Sequence, residues 1–175
     1  SDTPNRLPIL SWLDIGNQQS CGHIVPIADR TTNALQTCKQ NLFDSGIKYI
    51  VNCAVDLADS PLLTDKNNNH SNLSDLTEYR LQISDTSEVS ILPHLREGVL
   101  LLDKLRETCL CTNERVVVHC NAGVSRSGTL VVAYLMYKFG WGLQQSEAYV
   151  VEHRPCVNIN TFRKDLQIWE QEHSC

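Results

Sequence analysis

The chain has 175 residues, 42% apolar and 20% charged, enough to bury the core of one domain and too few for two. Fifteen Lys and Arg against twenty Asp and Glu give a net charge of -5 without any basic block. That balance argues against nucleic acid or a polybasic membrane anchor, both of which need a broad positive surface, so any anionic ligand must be met locally.

No apolar run reaches the ~18 residues of a membrane-spanning helix, and residues 1–20 lack the basic-then-apolar layout of a secretory leader. A soluble protein without membrane insertion is expected. The eight cysteines offer no matched pair of Cys-x2-Cys, and Cys109-Leu110-Cys111 is too tight for zinc. Free thiols in a reducing compartment are therefore expected, in the cytoplasm with the nucleus also open, and no metal or cofactor is called for.

Ile9 to Ile15 reads as one or two short strands ending at the turn signal Gly16-Asn17. Thr31 to Asp44 reads as a helix with Ala34, Leu35, Cys38, Leu42 and Phe43 on one face, stopped by Ser45-Gly46. Ile47 to Ala54 is rich in β-branched and aromatic residues and reads as a buried strand. Asp59 to Asp75 is polar, with Lys66-Asn67-Asn68-Asn69-His70-Ser71, and reads as an exposed mobile loop. Tyr79 to Ile83 follows as a short strand, and Leu92 to Thr108 carries Leu95, Val99, Leu102 and Leu105 at helical spacing.

Val116-Val117-Val118 reads as a compact strand running into His119-Cys120. After Asn121 to Arg126 comes an apolar, central helix from Ser127 to Phe139, bounded by Gly140. Gln144 to His153 and Thr161 to Glu172 read as two further helices around Arg154-Pro155. Strands alternating with helices predict an α/β fold, a central mainly parallel sheet flanked by helices. With no repeat or linker, residues 1–175 read as a single domain whose core spans 9–172.

The segment His119-Cys120-Asn121-Ala122-Gly123-Val124-Ser125-Arg126-Ser127-Gly128 carries the chemistry. A loop entering a helix turns successive peptide N–H groups toward an anion, and the helix N-terminus adds positive potential. Asn121, Ala122, Gly123, Val124 and Ser125 would cradle a phosphate that Arg126 grips with its planar fork. The same field acts on sulfur. An ordinary thiol titrates near ~8.5, whereas one at a helix N-terminus beside a cation falls to ~3.5–7.5, making Cys120 a nucleophile that needs no metal.

Attack on phosphorus requires a proton for the leaving oxygen, and the second step requires a base for water. Asp85, at a strand-to-loop exit, can serve both, with Glu88 as the rival. Ser127 can donate a hydrogen bond to the departing sulfur, so its loss should mainly slow the second step. His119 is expected to bond loop backbone and tune Cys120 rather than act as a base. Arg154 has two readings, a second phosphate contact or a surface arginine near a helix end. Cys53 ends the strand predicted beside Val116–Cys120. It is either a redox partner of Cys120 or a small buried hydrophobe.

The segment His119 to Gly128 resembles the signature of cysteine-based protein tyrosine phosphatases, most closely the small dual-specificity phosphatases. Gly46 to Asn52 is similar to that family's first central strand, and Ala133-Tyr134-Leu135-Met136 to the helix behind its phosphate loop. The resemblance implies the phosphatase fold and hydrolysis of phosphotyrosine and of phosphoserine or phosphothreonine in a phosphorylated protein substrate. It also places catalytic roles on Cys120, Arg126 and Ser127 and the general acid on Asp85, 35 positions before the nucleophile. Asn160 matches the family's loop-bracing Asn, although Asn158-Ile159-Asn160-Thr161-Phe162 lacks the Pro and Gly that many relatives carry.

Two other classes compete. Inositol-lipid phosphatases place lysines in the loop, and residues 121–125 are uncharged. Glucan phosphatases share a Cys-Asn-Ala-Gly-Val opening but usually have Gly where Ser125 stands. A pseudophosphatase that binds without turnover usually loses the nucleophile, which this chain retains. The sequence is silent on oligomeric state and on the physiological substrate.

Overall fold

The computed structural model describes residues 4–21, 23, 33–63, 76–122 and 124–173. Strands β1 (Asn5–Leu7), β2 (Leu10–Ile15), β3 (Ile47–Ala54), β4 (Thr77–Ile83) and β5 (Arg115–His119) form one sheet in the order β1-β2-β5-β3-β4. Only β1 runs antiparallel to its neighbour; β2, β5, β3 and β4 are mutually parallel. The expected mainly parallel α/β arrangement is what the chain adopts.

Parallel strands are covered on both faces, so they read as unbroken apolar runs. Val116, Val117 and Val118 on β5 illustrate it, since all three are fully buried yet alternate between two cores. Val116 and Val118 join the larger core with α2 (Leu92–Thr112), α3 (Arg126–Phe139), α4 (Leu143–His153) and α5 (Arg163–His173). Val117 joins the smaller one, with Ile47 and Ile50 of β3 and Leu35 and Leu42 of α1 (Asn33–Asp44). Helix α3 is central. Every residue from Arg126 to Met136 is buried, and Gly140 ends the helix at φ +68 with its N–H on the Met136 carbonyl. Truncating one of these side chains, Leu130→Ala for instance, should cost roughly 2–5 kcal/mol.

Boundaries shift where tertiary packing overrides local preference. Ile9 is 40% exposed in the turn before β2, and the expected first strand is preceded by β1, three residues lying between Pro4 and Pro8. Helix α2 runs to Thr112 rather than Thr108 because Cys109 continues its buried stripe, and Asn113 then stops it in a left-handed conformation at φ 56. On α1, Ala34 and Phe43 face solvent, correcting the expected apolar face, which is carried by Leu35 and Leu42. The excursion expected from Asp59 is exposed at Asp59 itself but not in the residues that follow. Ser60, Pro61 and Leu62 are buried, with Pro61–Leu63 forming a 3-10 turn. Residues 64–75 lie outside the described residues, as do Thr31 and Thr32.

Cys109 is buried and Cys111 exposed, and none of the seven described cysteines is joined in a disulfide to another described residue. Among the described residues no helix is long and apolar enough to cross a membrane. One charged pair sits inside the sheet, where Asp14 of β2 meets Arg115 of β5. Burial pushes the Asp14 carboxyl from its ordinary 3.8 up to about 6 despite the pull of Arg115. Arg115 also donates from Nε to the Ser11 carbonyl (3.1 Å) and from Nη1 to that of Ser45 (3.3 Å).

Candidate active site

The C-terminal end of β5 delivers Cys120 to a loop that becomes α3 at Arg126. Cys120 is 3% exposed, Arg126 2% and Ser127 0%, so thiol, guanidinium and hydroxyl are desolvated together. The Cys120 Sγ lies 3.3 Å from the Ser127 Oγ.

The loop's carbonyls are held from outside. Gln18 N–H donates to the Asn121 carbonyl (2.8 Å), Asn158 N–H to that of Val124 (3.0 Å), and Arg154 Nη2 to that of Ala122 (3.2 Å). His119 Nδ1 sits 3.1 Å from the Cys120 carbonyl. In a planar trans peptide the following N–H points opposite to the carbonyl. Those anchors thus turn the N–H groups of Asn121, Ala122 and Ser125 away from the flanking segments, as an anion nest requires. Gly123 lies outside the described residues.

Arg126 is steered by a residue absent from the sequence expectations. Its Nη1 donates to Asp56 Oδ1 (2.6 Å) and to the Ile83 carbonyl (2.9 Å), while Asp56 Oδ2 accepts from Asn121 Nδ2 (2.6 Å). The hydrogen bond from Arg126 holds the Asp56 carboxyl below its ordinary range. Burial works against the Arg126 charge, but Asp56, Cys120 and Asp85 outweigh it and raise its pKa. Its Nε is buried without a hydrogen-bond partner among the described residues, a donor left over for an oxyanion. Asp56 follows the C-terminal end of a central parallel strand, where ligands of open α/β sheets gather, and that rule was the available signal.

Asp85 stands exposed in the bend after β4, near enough to Arg126 to act on its charge, and the Ile83–Arg126 bond ties this bend to the phosphate loop. Glu88 is also exposed, in the turn beyond Asp85, with its N–H on Thr86 Oγ1. His119 is fully buried, and burial pushes its pKa down to about 4, so the ring is neutral and bonds loop backbone as expected. Cys53 is fully buried one residue beyond the Asn52–His119 register pair, and burial first, then Cys120, pushes its thiol well up.

Two expectations are corrected. Arg154 is 7% exposed, so it is not a surface arginine; its Nη1 binds the Asn5 side chain and its Nη2 the loop. Asn160 is exposed with its Oδ1 taken by Arg163 (2.8 Å), and the bond to the loop comes from the peptide of Asn158 instead. Nothing in the residue types of Gln18 or Asn158 signals these backbone contacts.

The chain is similar to known proteins. Dual specificity protein phosphatase 15 of Mus musculus is 38% identical over 96 residues, 54% of this chain and 39% of that protein. Protein phosphatase Slingshot homolog 3 of Rattus norvegicus is 37% identical over 95 residues, 54% of this chain and 14% of that protein. The chain thus spans well under half the length of these relatives. Human DUSP28 superposes with a TM-score of 0.67 at 20% identity, over 91% of this chain and 88% of that one, which is a likeness of fold. The family description "Dual specificity phosphatase, catalytic domain" matches residues 30–172, most of the chain, and the chain belongs to that family.

Proposed function

We propose that the protein hydrolyses phosphate monoesters on tyrosine and on serine or threonine of protein substrates through a cysteinyl-phosphate intermediate. The observation that carries this is the desolvated trio of Cys120, Arg126 and Ser127 at the mouth of α3, with Sγ and Oγ 3.3 Å apart and Arg126 Nε unpartnered. Family membership supports phosphatase chemistry in general.

In the first step the Cys120 thiolate forms an S–P bond as the P–O bond to the substrate breaks, and Asp85 gives its proton to the leaving oxygen. In the second, water attacks phosphorus, Asp85 takes the water's proton, and the S–P bond breaks with Ser127 donating to the sulfur. Arg126 and the peptide N–H groups of the loop hold the equatorial oxygens throughout, stabilising charge in a largely desolvated site. A reducing cytoplasmic setting belongs to this proposal, since the chemistry requires Cys120 as a thiolate.

The test is phosphate release from matched phosphotyrosine and phosphothreonine peptides, with chelator and reductant, beside Cys120→Ser. Turnover of both peptides, abolished in the variant, is expected. Retained peptide binding without turnover in the unaltered protein would replace this reading with a phospho-binding one.

A further inference from the structure

Behind the phosphate loop, three side chains that the hydrolytic chemistry does not use converge. Glu78 of β4 and His119 of β5 flank β3, on the same sheet face as Ile50 and Val117, the face covered by α1. His23 reaches the same point from the segment after β2, its N–H fixed on the Gln18 carbonyl at 2.9 Å. One ligating atom from each of the three lies within 4.8 Å of the other two, and the rings of His23 and His119 are 5.4 Å apart.

Two of the three present electron pairs at this point. His119 donates from Nδ1 to the Cys120 carbonyl, so the lone pair of the neutral ring sits on Nε2. That Nε2 is buried without a hydrogen-bond partner among the described residues, and the same holds for Oε1 of Glu78, whose Oε2 accepts from the Ser60 N–H at 2.8 Å. Buried acceptors left unpaired are costly, and a dication beside the His119 Nε2 and the Glu78 Oε1 would satisfy both. We propose that His23, Glu78 and His119 bind a divalent transition-metal ion of the zinc class, with the remaining coordination open to water.

The dimensions fit. Three atoms no more than 4.8 Å apart all lie within about 2.8 Å of one point, so contraction of under about 1 Å each reaches the ~2.0–2.2 Å of zinc bonds to imidazole nitrogen and carboxylate oxygen. Two imidazoles and one carboxylate are ligands that zinc and its neighbours accept, unlike the all-oxygen shells of calcium or magnesium. The Cys120 carbonyl on His119 and the Ser60 N–H on Glu78 supply the outer contacts that orient such ligands. Because His119 precedes Cys120, occupancy would bear on the phosphate loop without touching the reacting atoms.

The test is titration of the full chain carrying Cys120→Ser, which removes the loop thiolate as a rival ligand, with Co2+ as an optical probe. One equivalent should bind with the weak visible bands of nitrogen and oxygen ligation, and Zn2+ should displace it. Glu78→Gln, which keeps an acceptor for Ser60, and His23→Gln should each weaken binding at least tenfold, with circular dichroism establishing that each variant is folded. If one fails to fold, the other decides. Absence of saturable binding, an intense thiolate charge-transfer band, or affinity unchanged in the folded variants would overturn the proposal.

Discussion

Asp56 holds Arg126 through a 2.6 Å hydrogen bond while its second oxygen holds Asn121, so one exposed carboxylate orients both the cation and the first residue of the phosphate loop. With Nη1 committed, the edge carrying Nε is what Arg126 can present to phosphate. Asp56→Ala should lower kcat/KM by about 10- to 100-fold, roughly 1.4–2.7 kcal/mol of transition-state stabilisation. Asp56→Asn keeps an acceptor for Arg126 and should lose less. Steady-state kinetics on one phosphopeptide measures both, and equal loss in the two variants would contradict an orienting role.

Arg154 is bound to the Ala122 carbonyl and the Asn5 side chain from a buried position, which makes it a brace. Arg154→Met, which retains much of the packing, should reduce kcat/KM about tenfold and lower the melting temperature. Its effect should be the same on singly and doubly phosphorylated peptides. A selective loss on the doubly phosphorylated peptide would restore the second-phosphate reading.

The Asp14 carboxyl titrates near 6 when folded against an ordinary 3.8. The folded state therefore holds this proton more tightly, and the group's contribution to stability, full below the unfolded value, is lost as pH rises through the folded one. Two units correspond to about 3 kcal/mol. Asp14→Asn removes the titration, so its stability relative to the unaltered protein should rise by up to about 3 kcal/mol between about pH 4 and about pH 7. Urea unfolding at a series of pH values reads this directly, and a flat difference would show that Arg115 keeps Asp14 ionised in the fold.

Gly128 packs so closely on Val157 that an added Cβ would lie 2.6 Å from its Cγ1. Gly128→Ala should cost about 1–3 kcal/mol by overpacking. Activity should suffer beyond that, because the displaced Val157 leads into Asn158, whose N–H anchors Val124. Gly140→Ala is the contrast. Nothing lies within 4 Å of its Cβ, and the left-handed φ alone should cost about 1–2 kcal/mol, with kcat/KM unchanged at a permissive temperature.

The central elements were legible because their signals are local. Val116–Val118 and the apolar stretch to Phe139 announce a buried strand and helix by composition, and Cys120, Arg126 and Ser127 sit in one continuous motif. Asp85 was named by reasoning from a strand exit, and its charge acts on Arg126. Gln18 and Asn158 were not, because both meet the loop through docking and act through backbone atoms that any residue type carries, and for Asp56 the only signal was its place after a central strand. Arg154 was misjudged for the complementary reason. A charged residue after a helix is ordinarily solvated, and only the fold reveals that Asn5 and Ala122 enclose it.

The anchors of the Asn121, Ala122 and Val124 carbonyls come from both flanks of the sequence, Gln18 ahead of α1 and Arg154 and Asn158 beyond α4. Contacts of such long sequence separation are slow to close. The catalytic loop should thus be among the last parts of the molecule to take shape during refolding. Recovery of the proposed phosphatase activity should trail the recovery of helical ellipticity, making that activity a clock for completion of the fold.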